Sequence, residues 1–170
     1  MAAAVFSGIS LYLAGKREER RWRRDSLLEA YQRFIELSFD RSLIAVQGID
    51  TRRAHVPPRT RGTFNLDELR TRQERLHAEY DSLITRLRLL AARDVVDAAE
   101  TLHVLDNQLV DLALTDDATA SDTEFNIFEE RREQNRQAKE QMLRAARATL
   151  GLDTAAVIAD QYWGRSPEEQ

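Results

Sequence analysis

Glycine and proline are scarce in this chain, six and three among 170 residues, and they fall where helices should end. Neither occurs between Lys16 and Gln47, so no residue there removes a backbone donor or loosens the backbone, and one continuous helix is expected. Its inward stripe is Leu27, Leu28, Tyr31, Phe34, Ile35, Ser38, Phe39, Ala45 and Val46, recurring mostly at three- and four-residue spacing. Gly48 reads as the stop. A loop should follow, holding His55, Pro57, Pro58 and Gly62 with four arginines, Arg52, Arg53, Arg59 and Arg61.

Three further helical blocks are expected. Asn65 opens the second, with Glu68 completing a capping-box pattern, and its stripe is Leu69, Leu76, Tyr80, Leu83, Leu87 and Leu90. Asp94 is the expected cap of the third, whose stripe is Val95, Ala98, Leu102, Leu105, Leu109 and Ala113. The short turn at Ala92 and Arg93 makes these two an antiparallel hairpin. Ser121 with Glu124 opens the fourth, which runs to about Leu150 before Gly151, with Phe128, Ala138, Met142 and Ala146 inward. From Glu129 to Gln141 that helix carries one apolar residue, Ala138, so it presents either a solvated face or a polar docking face. A last short helix from Asp153 would bring Val157, Ile158, Tyr162 and Trp163 over the open end, ahead of a polar tail at 164–170. No strand-type alternation occurs. The expected fold is all-α: an antiparallel four-helix bundle over 16–163 with an extended N-terminal helix.

Residues 1–15 are largely apolar and run straight into Lys16-Arg17-Glu18-Glu19-Arg20-Arg21-Trp22-Arg23-Arg24. An apolar segment flanked by cations and a tryptophan suits a membrane anchor, because cations gather on the cytoplasmic side and tryptophan at the headgroups. Fifteen helical residues rise only about 22 Å against roughly 30 Å of hydrocarbon. Ser7, Ser10 and Gly8 dilute the segment further. A secretory signal would carry its charge ahead of the apolar run, not after it. The expected membrane flank is therefore Lys16, Arg17, Arg20, Arg21, Trp22, Arg23 and Arg24, contacting anionic inner-leaflet lipid, with the rest of the chain cytoplasmic.

The passage Arg20-Arg21-Trp22-Arg23-Arg24-Asp25, followed by Leu28-Glu29-Ala30-Tyr31 and Phe34, resembles the start of small bacterial single-span proteins. These have an Arg/Trp-rich flank and a cytoplasmic helical domain. The resemblance covers residues 1 to about 40, implies no activity and supplies no site residues. This chain departs from that pattern in its shorter apolar segment.

Composition narrows the chemistry. With no cysteine, disulfides, thiolate zinc sites and cysteine nucleophiles are excluded. Residues 1–64 carry 12 cations and 7 anions, and residues 65–170 carry 13 and 22. A basic proximal half and an acidic distal half fit an anionic leaflet better than a nucleic acid. No Gly-x-Ser-x-Gly elbow or phosphate-binding glycine loop is present, and no cofactor is implied. Two Glu-x-x-His motifs, Glu74–His77 and Glu100–His103, suggest a di-metal bundle. Both glutamates, however, face away from their helices' apolar stripes. Counted from the hairpin turn, the motifs lie about eight residues, roughly 12 Å, out of level. Asp106 falls inside the third stripe, and Arg131 and Asn135 inside the fourth. Asp106 and Arg131 are equidistant from the loop between those helices, so a buried structural pair is expected.

The function these features favour is a non-enzymatic, membrane-anchored interaction module. One alternative is a soluble regulatory bundle that dimerises through Val5, Ile9, Leu11 and Leu13. The other is a metal-binding bundle using Glu74, His77, Glu100 and His103.

Overall fold

A computed structural model describes residues 2–53, 64–117 and 119–152, with side chains from Lys16 onward. The expected last short helix and tail lie outside the described residues, as do His55, Pro57, Pro58, Arg59, Arg61 and Gly62. Among the described residues there are four helices: α1 (Ala2–Arg52), α2 (Leu66–Leu90), α3 (Arg93–Ala113) and α4 (Asp122–Thr149). Among the described residues there is no strand.

Helix ends follow local chemistry. The Asn65 side chain accepts from the Asp67 backbone N–H at 2.9 Å to open α2. Ser121 and Glu124 form the reciprocal capping box of α4, each side chain bonding the other residue's backbone. Gly151 takes φ +67° beyond α4, and Leu152 N–H then reaches Arg147 O while Gly151 N–H reaches Ala148 O. That is the Schellman closure, in which only glycine enters the left-handed region at little cost. α3 differs from expectation. It starts at Arg93 with Ala92 as its cap and no side-chain bond, so Asp94 lies inside the first turn, where its charge complements the helix dipole.

Gly48 does not stop α1, which continues to Arg52. A Cβ there would lie 2.6 Å from Leu114 Cδ2 and 3.0 Å from Ala113 O. Glycine is therefore what lets α1 approach the end of α3 closely.

Ion pairs report the helix register. Glu29–Arg86, Arg33–Glu79 and Asp40–Arg72 show α2 descending as α1 ascends. α1 packs on α2 and α3, and α3 packs most extensively on α4, whereas the α1 and α4 backbones approach least closely and meet through side chains. The core has two apolar layers. One gathers Phe34, Leu37, Tyr80, Leu87, Leu102 and Met142, with Phe34 and Tyr80 stacked at 4.4 Å between centroids. The other gathers Ile49, Leu109, Val110 and Phe128. Burying each such side chain contributes about 1.5–3 kcal/mol. Between the layers lies a polar waist containing Ser38, Arg41, Asp106, Asn135 and Lys139.

Candidate functional site

The waist follows from where polar residues interrupt the helical stripes. Asp106 sits between Leu102 and Leu109 on α3, at core spacing, and is 1% exposed. Tyr80 donates its hydroxyl to Asp106 Oδ2 at 2.6 Å, and Asn135 Nδ2 donates to Oδ1 at 2.8 Å. Ser42 Oγ donates to Asn135 Oδ1 at 3.2 Å, and Lys139 Nζ donates to Ser42 Oγ at 2.5 Å. The chain of donors thus runs one way, from Lys139 through Ser42 and Asn135 to Asp106. Burial, and then the Asp106 charge, push the Tyr80 phenol well above its usual range, so it stays a donor.

The expected Asp106–Arg131 pair does not form. Arg131 is half-buried and donates to Gln134 at 2.9 Å on its own helix. α4 is displaced by about one turn, roughly 6 Å, from the level counted around the loop, so Asn135 occupies the facing position. Arg52 accounts for the displacement. Its fully buried guanidinium donates to Leu112 O, Asp117 O and Glu124 Oε1 at 2.9, 2.9 and 2.8 Å, and its carbonyl accepts from Ala120 N–H. The α3–α4 connection is therefore drawn along the end of α1. Arg53 stacks over Phe125 and pairs with Asp122. Both arginines, read from sequence as loop charges, instead fasten helices.

Arg41 occupies the opposite side of the waist, 4.9 Å from the Tyr80 ring centroid. Nη2 bonds Asn107 Oδ1 closely, and the Gln73 amide, with its oxygen turned inward, accepts from Nη2 and Nε at 2.8 and 3.1 Å. Beyond it, His77 and His103 lie face to face with centroids 6.0 Å apart, and both approach Asp81, at 3.5 and 3.4 Å. Burial, then the Arg41 charge, lower the His103 pKa, which favours the neutral ring.

This meeting corrects the expectation that the two Glu-x-x-His motifs are out of reach of each other. The α2–α3 reversal inverts one motif against the other, so the histidines converge while the glutamates diverge. Glu100 instead pairs with Arg88 at 2.7 Å, and Glu74 is exposed. Among the described residues, no three His, Asp or Glu side chains could hold a metal together.

At the other end, every residue from Lys16 to Asp25 is exposed, including all seven expected membrane-flank residues. Trp22 is 64% exposed, and Arg23 donates to Leu90 O at 3.0 Å. Burial in the bundle begins at Ser26 and Leu27. Among the described residues, no helix is long and apolar enough to cross a membrane. The expected anchor segment, residues 1–15, is shorter than the roughly 20 apolar residues that a full span needs. No protein-family model, curated protein or solved structure matches this chain.

Proposed function

We propose that this protein is a non-enzymatic helical module, an antiparallel four-helix bundle attached to the inner face of a cell membrane by the N-terminal end of α1. The observation that carries the reading is α1 itself. It is helical from Ala2 to Arg52, yet exposed from Lys16 to Asp25 and buried only from Ser26. The Arg/Trp band is therefore solvent-exposed and not buried in the core, although Arg23 reaches Leu90 O. Attachment does not require a full span. A short apolar helix can enter the headgroup–acyl boundary, with arginines snorkelling to anionic phosphates and tryptophan at the interface. The acidic remainder of the bundle would stay off the same surface and meet a protein partner or a second copy.

The test is fractionation of cells expressing the full chain and a form lacking residues 1–15, with an alkaline carbonate wash, plus sedimentation with vesicles. Retention of the full chain alone, strengthened by anionic lipid, supports the reading. Release of both forms, with no vesicle binding, ends it. Dimerisation lost with residues 1–15 would favour the regulatory-dimer alternative.

A further inference from the structure

The weak contact between α1 and α4 leaves a groove of about 390 Å³ between them, within the roughly 300–1,000 Å³ typical of small-molecule sites. Its walls are apolar: Leu28, Ile35 and Phe39 from α1, and Leu143, Leu150 and Leu152 from the α4 side. Leu28 is half-exposed although it falls at core spacing, since the helix that would cover it stands away. Leu28 to Phe39 spans about 16 Å along α1, so the groove is elongated.

Lys139 also lines this groove, and it is 1% exposed. A buried ammonium ordinarily has a carboxylate beside it. Here Nζ bonds the neutral Ser42 hydroxyl and sits 4.8 Å from the Phe39 ring centroid. Among the described residues, no carboxylate lies within ion-pair range of it. Asp106, the buried anion of the waist, already accepts from Tyr80 and Asn135. The groove's own acids are engaged elsewhere, Glu36 with Arg33 and Glu140 with Arg136 and Arg144. An ammonium carries three donors, so Lys139 retains donor capacity after Ser42 is served. Burial lowers its pKa to about 8, with the Asp106 charge opposing, so it remains largely a cation at neutral pH.

We infer that the α1–α4 groove binds a single-chain carboxylate amphiphile, its alkyl chain along the Leu28–Leu143 walls and its carboxylate on Lys139. Such a ligand supplies an apolar chain to the Leu28, Ile35 and Leu143 walls and the compensating negative charge that Lys139 lacks among the described residues. The charge complementarity selects it over a neutral chain or a cationic one.

Calorimetric titration of the full chain with dodecanoate, dodecanol and dodecylammonium tests this at concentrations below micelle formation. Dodecanoate should bind one to one, at least tenfold more tightly than dodecanol, with dodecylammonium weakest. Lys139→Met should bring dodecanoate and dodecanol within about twofold of each other, and Leu143→Arg should abolish both. Equal binding of acid and alcohol by the wild-type chain overturns the proposal, and this comparison needs no variant to fold. Binding that emerges only after residues 153–170 are removed overturns it in favour of the chain's own C-terminal segment as occupant. Self-association abolished by Leu143→Arg, without dodecanoate binding, overturns it in favour of a second copy. None of these outcomes bears on membrane attachment through residues 1–15.

Discussion

The Tyr80 hydroxyl lies 2.6 Å from Asp106 Oδ2 in the middle of the bundle, joining α2 to α3. With Asn135 on the other oxygen, both carboxylate oxygens are occupied. Tyr80→Phe removes one donor and leaves a buried anionic oxygen unsatisfied, which costs about 1.5–3 kcal/mol. Urea denaturation should show that loss with an unchanged m-value, and full stability in the variant would exclude the bond.

Arg131 should matter far less. Because it bonds Gln134 on its own helix, Arg131→Ala should change stability by less than about 0.5 kcal/mol. A loss of several kcal/mol in the same denaturation experiment would restore the Asp106–Arg131 pair.

The two described glycines that bear on helix ends should fail in different ways. Gly48→Ala gains about 1 kcal/mol of helix propensity but drives a methyl against Leu114 and the Ala113 carbonyl. Overpacking of that kind costs about 1–3 kcal/mol, so a net loss is expected. At Gly151 the space is open and the penalty is φ +67° alone, about 1–2 kcal/mol for alanine. Thermal melts of both variants, with Gly48→Ala also scored after trimming Leu114 to alanine, separate clash from strain. Trimming should rescue part of the first loss.

Lys139 makes stability depend on pH in the alkaline range. Its folded pKa of about 8 lies below the usual value of 10.5, so the unfolded chain holds more protons between those limits. Stability therefore rises with pH across that window, by about 3 kcal/mol for this group at most. Tyr80 acts oppositely above about pH 10, because its raised folded pKa favours the unfolded state there, so the reading belongs between pH 8 and 10. Lys139→Met should flatten the rise and melt higher at pH 7. A wild-type profile flat from pH 8 to 10 would refute this.

Glu124 contributes on the acid side, as does Glu133, held down to about 2 chiefly by Arg136. The Ser121 backbone N–H, then Arg52, hold the Glu124 carboxyl down to about 2. Its stabilisation is present above the usual carboxylate pKa and is lost as pH falls through about 2. Arg52→Met leaves the Leu112 and Asp117 carbonyls without their buried donor, at about 1–3 kcal/mol for each carbonyl left unsatisfied, and leaves Glu124 without its cation. Its melting should also become less sensitive to acid than that of the parent.

The helical character of this chain, its α4 capping box and the polar break at Asp106 were legible because each depends on residues close in sequence. What could not be read was set by contacts distant in sequence. Gly48 looks like any terminating glycine until Leu114, sixty-six positions on, is placed against it. The level of α4 depends on Arg52 gripping a loop far along the chain, so counting from the loop centre misplaced the partner of Asp106 by one turn. Lys139 gave a weaker signal: a lone lysine beside Ala138 in an otherwise polar run, on the side of α4 that turns inward. The α1–α4 groove had no sequence signature, since Leu28 and Phe39 have core spacing whether or not a helix covers them.

Because α1 is unbroken from Ala2 to Arg52, its N-terminal part and its bundle part share one rotational phase. Each residue turns the helix by about 100°, so inserting one residue between Arg24 and Asp25 would swing the mouth of the α1–α4 groove by that angle relative to the N-terminal part of the helix. Whichever surface holds residues 2–15 therefore also sets the azimuth at which the groove opens.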